Sequence, residues 1–157
     1  MKKFFVITLC LITLITFTGC EKVKEGKYKE GTYYGTDVYD SYGKKYVTTA
    51  VIYVNESGLI KSCFIDSTYN KDGVYSTKKT LKDSYGMKST SASKGVIKGG
   101  AEWYEQVKVI EDKVVKEQGI DWVKYDSSNT YLDSVSGVTI SASTYIRAID
   151  NALKEAK

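Results

Sequence analysis

The chain has no histidine in its 157 residues. That excludes Ser-His-Asp triads, Cys-His pairs and histidine-ligated metals, and it leaves few routes to hydrolytic chemistry. Cysteine is nearly as scarce. Of three cysteines, Cys10 lies in an N-terminal apolar run and Cys20 closes that run. Only Cys63 remains beyond it, so no intramolecular disulfide is expected in an exported, processed chain. Cys63 sits in a strand-like run, where a buried structural thiol is the default reading. A strong charge of either sign is also missing, with 23 basic against 19 acidic residues. Cleavage after Gly19 would remove Lys2 and Lys3 and no acidic residue, bringing the formal +4 to about +2. A balance this even argues against nucleic acid as a partner and against a polybasic membrane patch. No internal repeat is visible.

What is present begins with an export signal. Lys2 and Lys3 precede Phe4 to Phe17, apolar apart from threonines, and Thr18-Gly19-Cys20 ends the run like a lipoprotein cleavage site. Residues 1–19 are expected to be a signal peptide. Cys20 would be lipidated and become the new N-terminus, holding the chain at the extracytoplasmic face of the cell membrane by at least two acyl chains. The alternative is an uncleaved signal anchor, for which the apolar run is short. Residues 20–30 are charged and read as a lipidated cysteine with a tether.

From residue 31 to residue 157 the pattern is globular, about 125 residues and one domain. Gly31 to Tyr39 reads as a first strand. Tyr46 to Val54 alternates, with Val47, Thr49, Val51 and Tyr53 on one face and Thr48, Ala50, Ile52 and Val54 on the other. Asn55 to Gly58 has hairpin-turn length, and Leu59 to Asp66 returns as a third strand. Tyr69 to Gly100 reads as a long polar loop, functional or mobile. Ala101 to Gln118 carries Trp103, Val107, Ile110 and Val114 at helical spacing, with Gly119 suited to the position after the helix. Ile120 to Tyr125 reads as a short strand or extended segment and Asp126 to Thr130 as a turn. The last helix, 141–156, has Tyr145, Ile146, Ile149 and Leu153 in register. The switch from period two to period 3.6 predicts an α+β fold: an antiparallel sheet built on a β-hairpin, with two main helices.

Ahead of that last helix stands Asp133-Ser134-Val135-Ser136-Gly137-Val138-Thr139-Ile140-Ser141. Ser141 or Ser143 is a plausible N-cap. Free N–H groups at a helix start, with the positive end of the helix dipole, make an anion site. A capped helix start after an ordinary Ser-Gly turn has the same pattern. The stretch resembles the flavinylation motif of the FMN-binding domain family, Asp-x-x-Ser/Thr-Gly-Ala-Thr. Asp133, Ser136, Gly137 and Thr139 match, and Val138 stands where that family has alanine. The Gly-Thr-Tyr opening at residue 31, Leu59-Ile60-Lys61-Ser62 after the first turn, Tyr85-Gly86-Met87 in the long loop and Glu102 to Gln106 at the helix start resemble it as well.

The resemblance implies an FMN-binding-domain-like fold and FMN held covalently, through a phosphoester to the Thr139 hydroxyl. Asp133, Ser136, Gly137, Val138 and Ser141 would lie around the phosphate. Tyr85 and Met87 would help cover the flavin, or serve as satellite core residues under the loop. Trp103 or Tyr104 would approach the ring. Thr139 has no local base, so attachment would fall to a separate magnesium-dependent flavin transferase, with FAD as donor and AMP released. Asp133 would serve recognition by that enzyme or its metal. The implied role is that of a carrier rather than a stand-alone enzyme, passing electrons from a membrane donor to an extracellular acceptor. The 14 tyrosines and 2 tryptophans suit a flavin pocket, and equally suit half-buried strands. Two other readings are an FMN lipoprotein without the covalent bond and a flavin-free surface lipoprotein that binds a partner.

Overall fold

A computed structural model describes residues 25–41 and 43–157. The expected signal peptide and the expected lipidation site, Cys20, lie outside the described residues. The fold is α+β. Four strands, β1 (Gly31–Ser41), β2 (Lys44–Val54), β3 (Ile60–Lys71) and β4 (Val74–Thr77), form one antiparallel sheet in the order β1-β2-β3-β4. The helices are α1 (Lys78–Leu81), α2 (Lys88–Ser93), α3 (Trp103–Glu117) and α4 (Ser143–Glu155), with a 3-10 turn at Lys82–Tyr85.

Alternation decides the faces. Tyr46, Thr48, Ala50, Ile52 and Val54 of β2 are buried, as are Ile60, Cys63, Ile65 and Ser67 of β3. On this face α4 lies over β1 and β2, and α3 lies over β3. The expected helical stripes are the ones buried: Trp103, Val107, Ile110 and Val114 from α3, and Tyr145, Ile146, Ile149 and Leu153 from α4. Each large apolar side chain so buried contributes about 1.5–3 kcal/mol. The other face of the sheet stays open, as an antiparallel sheet allows, and carries Tyr34, Val38, Tyr53 and Phe64 exposed.

Gly35 sets how closely α4 can approach. A Cβ there would sit 2.0 Å from the Ala148 carbonyl oxygen and 2.4 Å from the Ala152 nitrogen. Arg147 to Asp37 (2.8 Å) and the Asn151 amide to the Thr36 carbonyl (2.9 Å) fasten the same helix to β1.

Several expectations are corrected. Tyr69 to Gly100 is not one loop. Asp72 and Gly73 both have positive φ (54° and 85°), the backbone of a two-residue turn matching strand twist, and it pairs β3 with β4. Thr77 then caps α1, its hydroxyl accepting the Thr80 N–H at 3.2 Å. Ile120 to Tyr125 is a run of turns with a single bridge, Tyr125 to Leu132, rather than a strand. The N-cap of α4 is Ala142, and no side chain caps it. Gln118, not Gly119, is the left-handed residue ending α3 (φ 56°). Its amide is tied to both backbone groups of Ile60, at 2.8 and 2.9 Å. The last residues of the expected tether are docked: Gly26 donates to Ser57, Lys29 donates to Ala156, and Tyr28 is buried.

Candidate functional site

A cavity of about 400 Å³ opens where the far ends of β1, β2 and β3 meet the 78–94 segment and the starts of α3 and α4. Its size falls in the range of small-molecule sites. Register builds one wall. Tyr39 and Tyr46 are direct partners across β1 and β2, and their rings stack with centroids 5.2 Å apart. Tyr69 of β3 follows at 6.5 Å from Tyr46 and meets Tyr85 edge-on at 5.1 Å. Opposite, the Trp103 and Tyr145 rings pack edge-to-face at 5.7 Å, and the indole N–H donates to the Tyr145 hydroxyl at 2.9 Å. These are favoured aromatic geometries, and all five tyrosines line the cavity, together with Trp103.

Lys78, the first residue of α1, projects into this box. It is 6% exposed. Its ammonium lies 5.2 Å from the Tyr85 ring centroid, 5.3 Å from Trp103 and 5.7 Å from Tyr39. Its polar contacts are tyrosine hydroxyls, Tyr145 at 3.5 Å and Tyr85. No carboxylate forms an ion pair with it among the described residues. Burial holds its pKa below the ordinary lysine value, while Tyr85 and Asp66 work in the opposite direction.

Thr139 forms another part of the wall, 6% exposed. Gln106, one turn into α3 and fully buried, holds it. The Gln106 Oε1 accepts the Thr139 N–H at 2.7 Å and its hydroxyl at 3.2 Å. The Gln106 amide donates to Ser91 Oγ (3.3 Å) and to the Ala101 carbonyl (3.0 Å). Ser91 Oγ in turn lies 3.3 Å from the Thr139 hydroxyl. The hydroxyl therefore has a defined orientation rather than a free rotor. Lys94 donates to the Thr139 carbonyl at 2.8 Å and lies over the Tyr131 ring, 4.6 Å from its centroid. Ser141, Ile140 and Thr144 line the cavity beside Thr139. The α4 helix starts at Ser143, so the N–H groups of its first turn lack intrahelical partners.

The motif is divided by Thr139. Asp133, Ser136 and Val138 line a second, shallower cavity of about 480 Å³ behind it, which Thr139 and Lys94 also border. Gly137 has φ +83°, and a Cβ there would meet nothing within 4 Å. Glycine is needed for the left-handed turn, not for close approach. Val138 is 5% exposed, belongs to the hydrophobic core and also lines the second cavity. Tyr85, Met87 and Trp103 line the main cavity. Tyr104 does not; its hydroxyl turns to Asp83 at 3.1 Å. The Glu102 carboxylate positions the Tyr-Gly-Met segment by accepting the N–H groups of Met87 (2.8 Å) and Lys88 (3.1 Å).

Sequence reasoning missed Lys78, Ser91, Lys94 and Gln106. Lys78 and Lys94 stand among other lysines in a polar stretch, and nothing local marks them. Gln106 was legible in part, since it lies on the buried stripe of α3 three residues after Trp103. A polar residue at a core position needs partners. Among the described residues no group of three or more Cys, Asp or Glu is arranged to hold a metal ion, and no helix is long and apolar enough to cross a membrane. No family model, curated protein or solved structure matches the chain.

Proposed function

We propose that the chain is an extracytoplasmic, lipid-anchored electron carrier that holds FMN by a phosphoester to Thr139, with the flavin ring in the tyrosine-lined cavity. The observation that carries the reading is the position of the Thr139 hydroxyl. It belongs to the Asp133…Ser136-Gly137-Val138-Thr139 motif, and Thr139 is one of the residues lining the aromatic cavity.

The residues present fit the group. Lys94 and the first turn of α4 supply positive potential beside Thr139 for a phosphate. Tyr39, Tyr46, Tyr69, Tyr85 and Trp103 supply flat apolar surface for a ring. When bound, the flavin supplies the electron transfer, and the protein supplies binding and electrostatics. Attachment needs the transferase. The threonine oxygen would bond to the FMN phosphorus of FAD as the pyrophosphate bond breaks and AMP leaves, and the hydroxyl proton would go to a base on the transferase. Once esterified, Thr139 Oγ1 can no longer donate to Gln106. Ser91 can still donate to it, and Gln106 keeps the Thr139 N–H.

The test is co-expression with a flavin transferase, followed by intact-mass measurement of wild type and Thr139→Ala. The expected outcome is an FMN adduct on wild type alone. Releasable FMN without an adduct would leave the pocket and remove the covalent bond. Colourless wild type that binds no added FMN would end the flavin reading in favour of a flavin-free binding module.

A further inference from the structure

We propose that Lys78 pairs with the acceptor edge of the ring held in the cavity, the carbonyl and ring-nitrogen edge of the flavin's pyrimidine half, and thereby raises its reduction potential. This rests on the flavin reading above.

The argument starts from what Lys78 lacks. An ammonium has three donors. Here its hydrogen-bonding neighbours among the described residues are tyrosine hydroxyls alone, Tyr145 at 3.5 Å, the outer limit of a hydrogen bond, and Tyr85. The side chain is more than nine-tenths buried and forms no ion pair among the described residues. Four of the elements around it offer aromatic or hydroxyl groups: Tyr39 from β1, Tyr85 from the 3-10 turn, Trp103 from α3 and Tyr145 from α4. One carboxylate acts on it, Asp66 of β3, through space. That carboxylate already accepts the N–H groups of Ser67 (2.8 Å) and Lys79 (3.1 Å). Faces of three rings offset part of the cost of burying a cation. They do not replace a hydrogen-bond acceptor. Nothing in the fold's packing requires a lysine there, since an apolar residue of similar length would fill the same box.

The second strand of the argument is spacing. Lys78 stands over Trp103, and Thr139 is held by Gln106. Those two residues are three apart on α3, so they are neighbours on one helix face. The cavity thus carries two cations in different roles. Lys94 is exposed and bonded at the Thr139 carbonyl, beside the motif. Lys78 is buried at the aromatic end. A ligand that suits both has an anion at one end and a flat ring with acceptors at the other. A positive charge near that ring edge favours the oxidation state with more electron density there, which is the reduced one.

The full chain is co-expressed with a flavin transferase, and the midpoint potential of the bound flavin is measured by dye equilibration for wild type, Lys78→Met and Lys78→Arg. The Met variant is expected to shift the redox equilibrium at least about tenfold toward the oxidised form, about 30 mV for a two-electron couple. The Arg variant should keep most of the wild-type value. Independently, the Lys78 amine is titrated by NMR in wild type before and after loading. Its pKa should rise on loading, because an acceptor then faces the charge. Equal potentials in wild type and Met variant, or an amine indifferent to loading, would overturn the role of Lys78 while leaving the flavin in place. Wild type without flavin absorbance overturns the flavin reading, and this proposal with it, before any variant is compared. The amine titration needs no variant, so misfolding of Lys78→Met would not shield the proposal.

Discussion

At the scale of single residues, Thr139 is both enclosed and oriented, and the two properties pull in different directions. Thr139→Ala removes one hydroxyl from a network in which Gln106 still receives the Thr139 N–H. The expected cost is about 1 kcal/mol, read as a shift in urea midpoint with unchanged slope, while covalent flavin is lost entirely. Val138 behaves differently. Two methyls removed from the core by Val138→Ala should cost about 1–3 kcal/mol. The Thr139 hydroxyl is enclosed, so a transferase must meet the segment in an opened state. The destabilised Val138→Ala chain should therefore load at least as fast as wild type in a time course of intact mass. Slower loading with a normal fold would mean that valine itself is recognised. Cys63 offers a control on packing. Burial, with Glu111 nearby, pushes its thiol up to about 12. At pH 8 the native chain should resist thiol reagents for hours and react at once in denaturant.

At the scale of elements, two joints hold the helices to the sheet. The first is Gly35 under α4. Gly35→Ala puts a methyl into backbone atoms that cannot move without lifting the helix, and should cost about 3 kcal/mol or more. The second is Glu111 of α3. It pairs with Lys79 and accepts the Ile65 N–H at 2.7 Å. Glu111→Ala strands that buried N–H and a half-buried cation, for an expected loss of about 2–4 kcal/mol. Glu111→Gln keeps an acceptor and should lose less. Burial holds the Glu111 carboxyl above its ordinary 4.5. Its folded form therefore keeps a proton that the unfolded chain has released. This group favours the fold below pH 4.5, and the increment fades as pH rises through the raised value. Glu111→Gln should flatten the stability profile in that window; an unchanged profile in urea titrations would discount the assignment.

At the scale of the whole molecule, the cavity sits at one end of the sheet, where three strands, four helices and the 3-10 turn converge. Docking of residues 26–29 against Ser57, Gly58 and Ala156 fixes the start of the domain beside the turn between β2 and β3. The proposed membrane attachment lies upstream, at Cys20. Cys20→Ala should leave the protein unprocessed or released, detected by membrane fractionation and mass. Retention with unchanged mass would speak for an uncleaved anchor.

Much of the architecture was legible because it rests on periodicity, which is local. The β2 alternation and the stripes of α3 and α4 assign the buried faces by themselves, since burial of apolar area dominates the choice. The Ser136-Gly137 turn was legible for the same reason: a left-handed residue selects glycine. Asp72-Gly73 carried an equally local hairpin signal, hidden by the polar residues around it. Tertiary structure alone decided the rest. The stacking of Tyr46 with Tyr69, the partnership of Thr139 with Gln106, and the delivery of Lys78 into a box of rings with Tyr39, Trp103 and Tyr145 each join residues far apart in the chain. A lysine reads as a solvated charge until the fold removes its water. Only the assembled sheet and helices do that, which is why the charge at the heart of the candidate site leaves no mark in the sequence around it.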